Sequence, residues 1–390
     1  MNSLCTDVGY LSINKHGEQL CGDHVEIAEG NDNSIVMVLA DGLGSGVKAN
    51  ILSTLTSKII STMMANHMTI EDCVSTVAST LPVCEKRGIA YSTFTIIHVI
   101  NNKTAEVIQY DNPQVILLRN GANCEYNMTQ IQLGDKKIYQ SNIELLPGDM
   151  LISMSDGAIY AGVGKTFNFG WQRQNIIEFL EVMYEDSYSP KMVSTILLEQ
   201  CAQLYGQAPG DDTTIAAVKI RRRECINLLI GPPSDPQDLE EMLSLFFQQD
   251  GKHIICGGTT SSLAANYLGK DINTGFDYHD SEIPPIAKIQ GVDLVTEGVI
   301  TINRVLYYAK NYLEDNACYS QWGYREDAAS LIAKLLFEEA TDINFYVGKA
   351  INPAHQNPIL PINFSIKMRL IDELSECLRR IGKRIQVSYF

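Results

Sequence analysis

The chain lacks any run of about 18 consecutive apolar residues, which excludes a membrane-spanning helix. Its start, Met1 to Gly9, has no basic stretch followed by an apolar one, so it does not have the pattern of a signal peptide. It has no C-x-x-C pair among its ten cysteines, most of which sit inside apolar runs, as Cys73, Cys201, Cys256 and Cys377 do. They are expected to be reduced core residues of a cytoplasmic protein, not disulfide partners or zinc ligands. Positive charge is also short. The formal net charge is -16, shared equally at -8 on either side of Arg223, and neither half suits a nucleic-acid backbone. The one dense basic run, Arg221 to Arg223, closes an apolar strand and opens a linker. Metal chemistry in such a chain has to rest on carboxylates.

What is present, over 390 residues, suits two domains. Up to about residue 222 the chain is rich in short β-branched runs bounded by Gly, Asn, Asp or Pro: 34–40, 91–100, 105–110, 114–121, 149–155 and 213–220. Helices are expected at 47–65, 69–86, 173–184 and 189–205. The first carries Val47, Ile51, Leu55, Ile59 and Met63 on one face, the second has a near capping box of Thr69 and Asp72, and the last has Pro190 in its first turn. Strands joined by short turns such as Asn101-Asn102 fit antiparallel sheets packed face to face with helices outside. A linker at 223–235 leads into residues 224–390, where strands and helices alternate as in an α/β domain with a mainly parallel sheet.

Aspartates stand at strand ends beside glycines. The strand 36–40 runs into Asp41-Gly42, with Gly44 and Gly46 following, and the strand 149–155 runs into Asp156-Gly157. Asp211-Asp212 precede the strand 213–220, and Asp23 precedes a possible further strand. One Asp-Gly pair alone is more often a turn. Four such sites can converge when their strands lie side by side, and crowded carboxylates repel unless cations neutralise them. Strand ends hold ligands rigidly, and glycine lets a backbone carbonyl approach a hard cation. Two Mg²⁺ or Mn²⁺ ions are the usual hydrolytic solution. The glycines match neither a dinucleotide-binding fingerprint nor a P-loop.

In order, Gly22-Asp23, Ala40-Asp41-Gly42-Leu43-Gly44-Ser45-Gly46-Val47-Lys48-Ala49, Ser155-Asp156-Gly157 and Asp211-Asp212-Thr213-Thr214 resemble the motifs of the PP2C-type (PPM) phosphatases. The similarity is to their bacterial, sporulation stage II protein E-like branch, and it spans residues 1–222. The resemblance implies an α+β fold, a PP2C-like antiparallel β-sandwich flanked by helices, with two Mn²⁺ or Mg²⁺ ions at one end. It implies catalytic roles for Asp23, Asp41, Asp156 and Asp211: Asp41 bridging the ions, the Gly42 carbonyl ligating one, Asp156 and Asp211 holding the second, and Asp23 acting through water. Asp212 is the weaker member of its pair, since many relatives carry Asn there. A metal-bridging water would hydrolyse phosphoserine or phosphothreonine on a regulatory phosphoprotein such as a STAS-domain protein.

The phosphate-binding arginine of eukaryotic relatives is missing, as no arginine precedes Arg87; Lys15 or His16 could stand in, or be plain turn residues. The alternative is a catalytically degenerate phosphatase fold acting as a regulatory binding module. The oligomeric state stays open, a homodimer included. In the second domain, Cys256-Gly257-Gly258-Thr259-Thr260-Ser261-Ser262 is either a tight capped turn or an anion-binding helix start, with Asp293 and Glu297 able to face the same crevice.

Overall fold

A computed structural model describes residues 4–30, 34–80, 92–133, 136–274, 286–314, 319–350 and 363–390. The chain divides into two compact units, Met1–Arg222 and Arg223–Phe390.

The first unit begins with the strands β1 (Leu4–Ile13), β2 (Asp23–Glu29) and β3 (Ser34–Asp41) and the helices α1 (Gly46–Ala65) and α2 (Ile70–Thr80). Then come β4 (Thr93–Ile100), β5 (Thr104–Tyr110), β6 (Ile116–Arg119), β7 (Ala122–Asn123), β8 (Thr129–Leu133), β9 (Lys136–Glu144) and β10 (Met150–Met154). The unit closes with α3 (Asp156–Ile159), α4 (Arg173–Met183), α5 (Pro190–Leu204) and β11 (Thr213–Arg222). Two antiparallel sheets form, in the orders β1-β11-β10-β6-β7 and β2-β3-β4-β5-β9-β8. They face each other across Met37, Leu39, Ile97, Val107, Leu117, Leu151 and Val218. Alternate residues of the same strands turn outward. Val36, Val38, Phe94 and Ile96 pack under α1 and α2, and Ile116, Ile152 and Ile215 pack under α4 and α5. This is the α+β sandwich flanked by helices expected from the residues.

Local chemistry accounts for the element ends. The Thr69 hydroxyl accepts the Asp72 N–H at 3.2 Å, and Ser189 accepts the Met192 N–H at 3.1 Å with Pro190 next in line. Asn101 and Asn102 take left-handed backbone between β4 and β5. The expected second helix runs on to residue 86, but 81–91 lies outside the described residues.

Two features differ from expectation. β1 went unrecognised, yet it pairs with β11 over ten residues, from Leu4↔Arg222 to Ile13↔Thr213. The α1 face of Val47, Ile51 and Leu55 points to solvent; the helix buries Ala49, Ser53, Thr56, Ser57, Ile60, Ser61 and Met64 instead. Small residues let the helix lie close on the sheet. Ser53, Ser57 and Ser61 bury their hydroxyls at little cost by donating to helix carbonyls three residues back.

The second unit holds β12 (Cys225–Ile230), α6 (Leu239–Phe247), β13 (Lys252–Cys256), α7 (Gly258–Leu268), β14 (Asn273–Thr274), β15 (Ala287–Lys288) and β16 (Leu294–Thr296). After these come α8 (Val299–Leu313), α9 (Tyr319–Trp322), α10 (Ala328–Ala333), β17 (Asp342–Val347), α11 (Asn363–Arg380) and β18 (Arg384–Tyr389). Asp235 caps a short 3₁₀ turn, Pro236–Asp238, ahead of α6. The sheet order is β14-β15-β16-β13-β12-β17-β18; β16, β13, β12, β17 and β18 are parallel, and β15 and β14 form an antiparallel edge. The chain thus winds outward from β12 in both directions, as doubly wound sheets do.

Candidate metal centre

In the first unit, antiparallel pairing sets Asp23 of β2 directly opposite Asp41 of β3. The Gly42 N–H donates to the Gly22 carbonyl at 3.1 Å, which extends the ladder past the two carboxylates. In the other sheet, the Ser155 N–H donates to Thr214 O and the Thr214 N–H to Ser155 Oγ, tying the start of α3, with Asp156, to the segment behind Asp211 and Asp212. The two sheets thus bring the four sequence-predicted segments to one end of the sandwich.

Glycines allow this approach. A Cβ at Gly157 would stand 2.1 Å from Asp212 O, and one at Gly22 would stand 2.7 Å from Asp212 Oδ2. At Gly42 it would meet Ala49 O at 2.1 Å, so this glycine also seats α1.

Asp23 and Asp212 are buried, whereas Asp41, Asp156 and Asp211 are partly open. Neither oxygen of Asp23 accepts a hydrogen bond among the described residues, and Asp212 Oδ2 also lacks a donor. Burial pushes Asp23 up to about 7; the Ser155 and Thr214 hydroxyls oppose the shift, and the Asp212 and Asp156 charges add to it. Asp41 rises to about 9, through burial first and then the Asp23, Asp156 and Asp211 charges. Burial and Asp211 also raise Asp156.

Lys15 lies at the rim. Its Nζ is 3.6 Å from Asp211 Oδ1 and its backbone N–H donates to Asp212 Oδ1 at 2.9 Å. His16 is exposed and its N–H donates to Pro209 O. Ser155 and Thr214, which flank Asp23, were not singled out from sequence, although both lie inside the quoted motifs.

Among the described residues no three His, Cys, Asp or Glu side chains already form a ready-made ligand cluster. The donor set nonetheless fits hard cations. Buried carboxylate oxygens without donors, beside Asp23 and Asp41 raised well above the usual carboxylate range by burial first and neighbouring charge second, are groups that divalent ions would satisfy.

A helix-flanked pair of antiparallel sheets is a PP2C-like architecture. The family model for stage II sporulation protein E (SpoIIE) matches residues 31–221. Solved structures similar to the chain include three bacterial ones. The phosphatase domain of the cell fate determinant SpoIIE from Bacillus subtilis is 17% identical, covering 56% of this chain and 94% of that one at a TM-score of 0.45. A second SpoIIE structure from that organism, with a fragment of its regulatory domain, is 20% identical over 57% of this chain and 64% of that one, at 0.49. The RsbU and RsbW domains of a Mycobacterium tuberculosis protein are 13% identical over 83% of this chain and 79% of that one, at 0.50. No curated protein matches the chain.

Proposed function

We propose that the first unit is a metal-dependent phosphoprotein serine/threonine phosphatase, its chemistry carried within residues 1–222. The observation that carries this reading is the facing pair of a buried Asp23 and a half-buried Asp41, with the charges of Asp156 and Asp211 acting on it. Asp41, Asp156, Asp211 and the Gly42 carbonyl would hold two Mn²⁺ or Mg²⁺ ions, with Asp23 in support. Bound there, the ions supply a water of lowered pKa and neutralise charge on a phosphoryl group.

The chain's own residues do the rest. Asp41 and Asp23 are fixed by the β2–β3 ladder, so their carboxylates need little reorganisation. Asp211 holds the Lys15 ammonium at the rim, where it can meet a substrate phosphate oxygen in place of the missing arginine. The substrate in this reading is a regulatory phosphoprotein of the STAS-domain kind, as the motif resemblance implies; structures similar in fold include one of RsbU and RsbW domains. Residues 224–390 would then serve a regulatory or partner-binding role.

The test is hydrolysis of an aryl phosphate and a phosphoserine peptide in Mn²⁺, with loss in chelator and recovery on adding metal back. Activity undiminished by thorough chelation would refute the reading. A metal-replete chain inactive on both would favour the degenerate binding module.

A further inference from the structure

In the first unit, Asp156 at the start of α3 and Asp211 ahead of β11 lie on different elements, yet both are proposed ligands of one ion. Tyr205, the C-cap of α5, touches the neighbours of both. Its hydroxyl donates to the Gly157 carbonyl at 2.7 Å, one residue beyond Asp156. Its ring reaches the other loop: a Cβ at Gly210, one residue before Asp211, would stand 3.3 Å from Tyr205 Cε1.

The phenol is the donor that the Gly157 carbonyl needs. The Tyr160 and Ala161 N–H groups, next along the helical turn, bond Asp156 O and Ala158 O instead. Gly157 is buried, so loss of the phenol would leave a buried acceptor without that donor. Tyr205 is itself firmly held. It is buried in the cluster of Ala158, Ala161, Leu197 and Cys201, and its carbonyl accepts from the Lys165 ammonium at 2.6 Å. Burial pushes the phenol above its ordinary pKa, so it stays a donor at neutral pH.

We infer that Tyr205 is a positioning residue for one ion of the proposed centre, setting Asp156 through Gly157 and Asp211 through Gly210. Its role rests on the reading above, in which both aspartates are ligands. The ladder between β10 and β11 ends at Met154↔Ile215, and the Ser155–Thr214 bonds extend it by one pair. Beyond that pair Tyr205 supplies the link. Asp156 is thus fixed on both sides, by Ser155 against Thr214 and by Gly157 against Tyr205. Partners that orient a ligand in this way are typically worth about tenfold or more in metal affinity.

The test measures Mn²⁺ binding to the full-length chain directly, from the spin-resonance signal of free Mn²⁺, so it does not depend on turnover. Tyr205→Phe removes the hydroxyl and keeps the ring. It should weaken one of the two Mn²⁺ binding steps about tenfold and leave the other unchanged. With Mn²⁺ in excess, kcat on an aryl phosphate should approach that of wild type at unchanged KM. Leu197→Val, a cut in the same core cluster, should lower the unfolding temperature and leave both steps as in wild type. Two steps in wild type that Tyr205→Phe leaves unaltered, or weakens equally, would overturn the role of Tyr205 alone. So would Leu197→Val weakening one step as much as Tyr205→Phe does. A wild-type chain that binds fewer than two Mn²⁺ ions would overturn the two-ion reading, and this role with it.

Discussion

Asp23 and Asp41 are direct cross-strand partners, two carboxylates set against each other on neighbouring strands with no donor on either oxygen of Asp23. Like charges so placed are destabilising, and both groups are raised well above an ordinary aspartate.

A pH dependence follows. Unfolded aspartate titrates near about 4, whereas the folded, metal-free protein holds Asp23 and Asp41 at about 7 and about 9. Between those limits the folded state binds more protons than the unfolded chain, so stability must fall as pH rises. In chelator, thermal unfolding should come at a lower temperature at about pH 8.5 than at about pH 5.5. Asp41→Asn should flatten that slope, and Mn²⁺ should raise the high-pH value most. An equal slope in wild type and Asp41→Asn would contradict the electrostatic assignment.

Asp212→Asn should behave differently from Asp211→Asn. Asp212 is buried beside Asp23, and an amide there can donate to the unpaired Asp23 oxygens. The variant should raise the metal-free melting temperature and keep most activity at saturating Mn²⁺. Asp211→Asn removes a proposed ligand and the partner of Lys15, so its activity should fall much further. The reverse ranking would exchange the roles of the two residues.

Lys15→Gln should raise KM for a phosphoserine peptide several-fold, with a smaller change in kcat, because it removes a charge that meets substrate and no proposed ligand. A fall in kcat at unchanged KM would place Lys15 in the chemistry instead.

Gly42→Ala drives a methyl group into Ala49 O, since the Cβ position is 2.1 Å away. It should cost on the order of 1–3 kcal/mol, read as a lower midpoint in urea. A stability equal to wild type would mean that α1 can shift freely.

The candidate site was legible because its signal is local: an apolar run ending in Asp-Gly can be seen without knowing the fold. Spacing also revealed α1 as a helix, through Val47, Ile51 and Leu55, but not which face is buried. The inner face is made of Ala49, Ser53, Thr56 and Ser57, and small polar residues carry no hydrophobic signature. β1 escaped for a related reason. Polar residues and Gly9 interrupt its apolar ones, and its strand character comes from ten residues of pairing with β11, some 200 positions away. In the second unit, Glu297 and Asp293 look equivalent in sequence, but the strand β16 runs between them and sets them at its opposite ends.

The central claim, that facing carboxylates on β2 and β3 exist to hold divalent cations for phosphate hydrolysis, is tested most directly by a Mn²⁺ titration of aryl phosphate hydrolysis in wild type and Asp41→Asn. Wild type should be inactive in chelator and saturate with Mn²⁺. Asp41→Asn should need far more metal and stay at least about a hundredfold slower when Mn²⁺ is limiting. Superimposable titration curves for the two proteins would contradict the account.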